Sequence, residues 1–142
     1  MDSIDLLKGK RLFRISRSLR ERVYKTLYSV LSKDKRVVLA IVFGGFLYRE
    51  YTRDIDVAIY LVDPRDILDD YMYVEELSEK MKERIGYPID FVILNHLEND
   101  YLFNTILLKG IPVVVKDYRL YYGLRMLAYD QRFFFRRYHG LM

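Results

Sequence analysis

The stretch Val37–Leu61 constrains this chain more than any other. Val37 to Phe43 is an uninterrupted apolar run of seven residues rich in β-branched side chains, the pattern of a strand covered on both faces and placed at the centre of a sheet. It ends in Gly44-Gly45, where the missing Cβ atoms permit positive φ and close backbone approach. Such a pair is either a plain turn or a cup of N–H groups for phosphate oxygens. After a spacer of eight residues a second strand opens with Asp54-Ile55-Asp56. Alternate strand residues point to one side, so Asp54 and Asp56 aim together while Ile55 faces away. Two carboxylates on one face repel unless a cation lies between them. Hard oxygen ligands suit Mg²⁺, and a nucleotide would supply the remaining ligands.

A strand, a Gly-Gly turn, a short spacer and Asp-x-Asp resemble the DNA polymerase beta-like nucleotidyltransferase superfamily, in particular its minimal nucleotidyltransferase (MNT) branch. That branch has a third Asp on a later strand. Here Asp90 stands in Gly-Tyr-Pro-Ile-Asp-Phe-Val-Ile-Leu, after a helix of suitable length. The phrase Ile-Leu-Leu-Lys-Gly-Ile-Pro-Val is also similar to the MNT pattern, and the resemblance covers residues 35–138.

It implies an α/β (α+β) fold with a small mixed central sheet flanked by helices. The activity it implies is Mg²⁺-dependent transfer of AMP from ATP to a hydroxyl, a tyrosine of a partner HEPN toxin, with this chain as the antitoxin. By the same resemblance Asp54 and Asp56 hold metal bound to the nucleotide. Asp90 completes a site for two Mg²⁺ ions and helps take the acceptor's proton. Gly44 and Gly45, with Arg49 and Arg53 of the spacer, would contact the nucleotide; solvated loop charges are the plainer reading of each arginine alone. One departure is Gly45, where the family usually has Ser; another is a slightly shorter spacer. Two other readings therefore stay open: an antitoxin acting by contact alone, and a nucleic-acid-binding protein.

The nucleic-acid reading rests on the N-terminal region. Leu12, Ile15, Leu19, Val23, Leu27 and Val30 fall at steps of three and four, which predicts one amphipathic helix within residues 1–34. Residues 35–142 would form the nucleotidyltransferase domain, the whole being a single globular unit. From Lys8 to Lys25 there are eight Lys or Arg residues against the single acid Glu21. Dense positive charge attracts polyanions or an acidic partner, or is simply a solvated helix face. Homo- or hetero-oligomers fit the same surface. Deleting residues 1–10 is expected to spare ATP binding.

No apolar run approaches the ~20 residues that span a bilayer. Lys8, Lys10, Arg11 and Arg14 interrupt any signal-peptide core. With no cysteine, disulfide and thiolate chemistry are absent and a cytoplasmic address fits.

Further along, the second strand is expected over Asp54–Val62. A helix would follow, capped by Asp63 and entered through Pro64, with Ile67, Tyr71, Val74, Leu77, Met81 and Ile85 inward and a stop at Gly86. Its acids, Asp66, Asp69 and Asp70 among them, read as a solvated face. Ile89–Leu94 is a third strand, Asn99–Lys109 a helix, and Ile111–Asp117 a strand that Pro112 sends toward an edge. A last helix over Tyr118–Tyr138 would bury Leu120, Leu124, Leu127, Phe134 and Phe135. His96 has no second His or Cys nearby for a zinc site. Arg132 and His139 are spaced like the motif of HEPN ribonucleases, but those proteins are all-helical and this chain shows three strands.

Overall fold

The computed structural model describes the backbone of residues 3–5, 11–97 and 100–138, with side chains over 11–97 and 100–131. Its elements are β1 (Ser3–Asp5), β2 (Arg11–Arg14), α1 (Arg17–Leu31), β3 (Val37–Phe43), α2 (Gly45–Tyr48), β4 (Tyr51–Thr52), β5 (Ile55–Leu61), α3 (Ile67–Ile85), β6 (Ile89–Ile93), α4 (Tyr101–Lys109), β7 (Ile111–Val115) and α5 (Tyr118–Tyr138). A 3-10 turn, Leu94–His96, follows β6.

The main sheet has the order β6-β5-β3-β7. β3 pairs antiparallel with both β5 and β7, while β5 and β6 run parallel. The sheet is therefore mixed, with β3 inside it and the Pro112 strand at its edge. Alternation along β3 sorts its side chains into two layers: Ala40 and Val42 pack with α1 and α3, and Leu39 and Ile41 pack with α4 and α5. Both faces are covered, which is why β3 reads as a continuous apolar run. At the far end of β5, the Asn95 amide pairs with both the N–H and the carbonyl of Leu61, at 2.9 and 3.1 Å, and so extends the ladder with a side chain. Among the described residues no helix is long and apolar enough to cross a membrane.

The N-terminal region departs from expectation. In place of one helix across residues 1–34, the helix starts at Arg17, where Ser16 caps it by accepting a hydrogen bond from the N–H of Leu19 at 3.1 Å. Arg11–Arg14 is a strand instead, joining β1 and β4 in a small antiparallel sheet of order β1-β2-β4. Leu12 and Ile15 are three apart and so mimic a helical repeat, but the buried residues here are Phe13 and Ile15, two apart as in a strand. The Phe13 ring stacks on Tyr87 at 4.1 Å between centroids, a nonlocal contact that no window of sequence contains.

The basic stripe is also partly used up inside the fold. Arg20 donates to the carbonyl of Phe46 and Arg22 to that of Ile85, at 2.7 and 2.8 Å, while Arg17 lies 3.7 Å from Glu21. Lys8 and Lys10 lie outside the described residues.

Two smaller corrections concern α3 and α5. Asp66, and not Asp63, caps α3, accepting from the N–H of Asp69 at 2.8 Å. Ile67 and Tyr71 are exposed, and Asp70 is buried at 0% exposure. On α5 the inward residues are Tyr121, Leu124 and Ala128, with Leu127 exposed; the side chains of Arg132, Phe134 and Phe135, and His139 altogether, lie outside the described residues.

Candidate active site

The site is built where β3 ends and β5 and β6 begin. Asp54 immediately precedes β5, Asp56 is its second residue, and Ile55 between them is fully buried. β6 lies parallel beside β5 in a register that sets Asp90 directly against Asp56. Neighbouring residues in register share a face, so three carboxylates end on one side of the sheet. One oxygen from each of Asp54, Asp56 and Asp90 lies within 4.8 Å of the others. Asp54 and Asp56 are partly buried and Asp90 is exposed, which leaves the cluster open to solvent on the β6 side. Such a donor set fits a hard divalent cation, whose charge offsets the mutual repulsion of the three groups.

Gly44 borders this cluster. Its φ is 79°, in the region that side chains rarely adopt, and a Cβ there would collide with Oδ2 of Asp56. Both backbone conformation and space therefore demand glycine. Gly45 differs: it opens the single-turn helix α2 without a positive φ. A Cβ on it would lie 3.3 Å from both Cδ of Arg49 and Oγ1 of Thr52. Arg49 is thus beside the turn. Arg53 is exposed between Thr52 and Asp54.

Thr52, Arg20 and Phe46 were not visible as site neighbours in the sequence. Phe46 is fully buried and holds α2 to the core. The guanidinium of Arg20 covers its ring at 5.0 Å, and Tyr24 meets the ring edge-on. These contacts depend on how α1 crosses the spacer, which leaves no local signal.

A second polar cluster occupies the opposite end of the sheet. Buried Asp70 accepts from Arg36 and pairs with Nε2 of His96, each at 2.8 Å, and also accepts from the N–H of Arg65 at 3.0 Å. Burial pushes its carboxyl up, but hydrogen bonds from Arg36, His96 and Arg65 and the charge of Arg36 outweigh this, holding it below the usual carboxylate range. Arg36 stacks 4.4 Å over the ring of Tyr73, whose hydroxyl donates to Asp34 at 2.5 Å. Burial, together with that acceptor, raises the Tyr73 hydroxyl well above its ordinary value. His96 is therefore a structural partner of Asp70.

Comparison with known proteins follows the same lines. Among solved structures, the MntA–HepT toxin–antitoxin aligns with a TM-score of 0.58 at 16% identity, over 86% of this chain and 91% of the other. A tri-AMPylated Shewanella oneidensis HEPN toxin in complex with MNT antitoxin gives 0.60 at 15% identity, over 84% and 90%. A toxin–antitoxin structure with AMP-PNP gives 0.60 at 16% identity.

 

For that AMP-PNP structure the alignment spans 82% of this chain and 89% of the other. At these identities the likeness is one of fold. No curated protein matches the chain. The family model for polymerase beta nucleotidyltransferases matches residues 25–119. That match spans most of the chain and includes the turn, both carboxylate strands and the helix between them, so the chain belongs to the polymerase beta nucleotidyltransferase family.

Proposed function

We propose that this chain is a Mg²⁺-dependent nucleotidyltransferase that transfers AMP from ATP to a tyrosine hydroxyl of a helical HEPN-type partner, acting as that partner's antitoxin in the cytoplasm. The observation that carries the reading is the approach of Asp54, Asp56 and Asp90 to within 4.8 Å of one another, beside Gly44, where a side chain would collide with Asp56. The similar folds include a complex whose HEPN toxin is tri-AMPylated and a toxin–antitoxin structure with AMP-PNP, which supports the choice of acceptor and nucleotide.

Asp54, Asp56 and Asp90 would hold Mg²⁺, two ions in the full site. Bound there, Mg²⁺ would supply positive charge to offset the negative charge of the phosphates during transfer. The Gly44-Gly45 turn lets the triphosphate approach the backbone, and Arg49 and Arg53 add positive charge at its rim. Asp90, the exposed member, faces the side from which an acceptor arrives and takes the proton of the tyrosine hydroxyl. The tyrosine oxygen bonds to the α-phosphorus, the bond from that phosphorus to the bridging oxygen breaks, and pyrophosphate leaves.

Incubation with ATP, Mg²⁺ and a HEPN protein encoded beside this chain should add about 329 Da per modified tyrosine, the mass of AMP added with release of pyrophosphate. Asp90→Ala should suppress transfer more than ATP binding, because its role belongs to the reacting state. A stable complex with no mass change under any nucleotide would establish neutralisation by contact alone.

A further inference from the structure

The spacer between the glycine turn and Asp54 is held from outside the matched family region. β2 pairs with β4 so that Phe13 lies opposite Thr52 and Arg14 opposite Tyr51. The N–H of Ile15 donates to the carbonyl of Glu50 at 2.8 Å, and Arg20 donates to that of Phe46 at 2.7 Å. Residues 13–20 thus grip the spacer at both ends, while Phe13 also stacks on Tyr87, three residues before Asp90. Residues 13–20 all lie before residue 25, where the family match begins.

Thr52 is where this grip reaches the carboxylates. It is one of two polar or charged residues classed as buried among the described residues, at 7% exposure. Its hydroxyl donates to the backbone carbonyl of Asp54 at 3.1 Å, and the same oxygen lies 3.3 Å from where a side chain on Gly45 would begin. One hydroxyl therefore touches the residue that starts the carboxylate strand and fills the space beside the turn. A methyl in its place would keep the packing and lose the bond to Asp54.

We infer that Thr52 is a positioning residue: held by the N-terminal strand β2, it fixes the backbone of Asp54 and sets the distance between the glycine turn and the carboxylates. The inference rests on the reading of the triad as a divalent-cation site. It makes Arg11–Arg20 part of the site's scaffold and not a separate basic arm.

The test measures Mn²⁺ binding by electron paramagnetic resonance on the full chain, with thermal melts alongside. Thr52→Val should weaken Mn²⁺ binding about tenfold, the scale seen when groups that orient metal ligands are removed. Thr52→Ser, which keeps the hydroxyl, should bind within about twofold of the parent. Arg20→Met, which keeps an apolar side chain of similar reach beside Phe46 and loses the donor to its carbonyl, should weaken binding in the same direction and serves if Thr52→Val does not fold. A lower melting temperature with unchanged Mn²⁺ affinity in the valine and methionine variants would overturn the inference, as would a serine variant as weak as the valine one. Failure of the parent chain to bind Mn²⁺ at all would instead remove the cation-site reading, and this inference with it.

Discussion

Gly44 and Gly45 are adjacent, yet the two glycines do different things. At Gly44 a Cβ meets Oδ2 of Asp56 and the φ of 79° is already unfavourable for a side chain. Gly44→Ala should therefore cost about 1–3 kcal/mol of stability and displace Asp56, lowering Mg²⁺-ATP affinity in calorimetry. Gly45 has no such backbone demand. Its neighbours at 3.3 Å are the flexible end of Arg49 and the hydroxyl of Thr52, which have only to give by a few tenths of an ångström. Gly45→Ser should leave Mg²⁺-ATP affinity equal or higher, since a hydroxyl can add one hydrogen bond to phosphate worth about 1–2 kcal/mol. A clear loss in the same assay would show that Thr52 cannot move.

Helix α3 shows how one buried group reorganises an element's start. Asp63-Pro64 has the sequence of a helix entry, but the carboxylate of Asp70 draws in the N–H of Arg65 and the helix begins after Asp66. The same carboxylate ties Arg36, before β3, to His96, after β6. Because its folded-state acidity is increased, Asp70 contributes stability above the unfolded carboxyl value of about 3.9 and loses it as pH falls through the lower folded value. Asp70→Asn should cost about 3 kcal/mol at pH 7 by leaving Arg36 poorly paired. The variant should also show a flatter decline between about pH 5 and 2 than the parent, which thermal melts across that range would reveal.

Over the whole molecule, the small sheet and the main sheet are joined by Phe13 and by the spacer. Removing residues 1–15 should cost about 2 kcal/mol for the lost burial of Phe13 alone, lowering the melting temperature by several degrees, and should weaken cation binding through Thr52. Removing residues 1–10 leaves Phe13 and the β2–β4 pairing residues in the chain, so Mg²⁺-ATP binding should persist. On the outer surface, Tyr118, Tyr122, Met126 and Tyr129 of α5 are exposed, so core packing accounts for only part of this helix's aromatic content.

The sequence by itself determined the elements whose signals are local. The apolar run of β3, the Gly86 stop of α3, the Pro112 edge strand and the span of α5 all follow from neighbours within a few residues. It also placed Asp54, Asp56 and Asp90 near strand starts, because period-two alternation and a turn are local facts. Only the tertiary structure decided that β6 lies parallel to β5 with Asp90 against Asp56, since register between strands separated by a helix depends on packing. It likewise decided that Arg11–Arg14 is a strand, that Asp70 is buried, and that Thr52 sits between the turn and Asp54. Each of these rests on partners distant in the chain, Thr52 with Phe13 and Asp70 with Arg36 and His96, and contacts at such separations leave no periodicity to read.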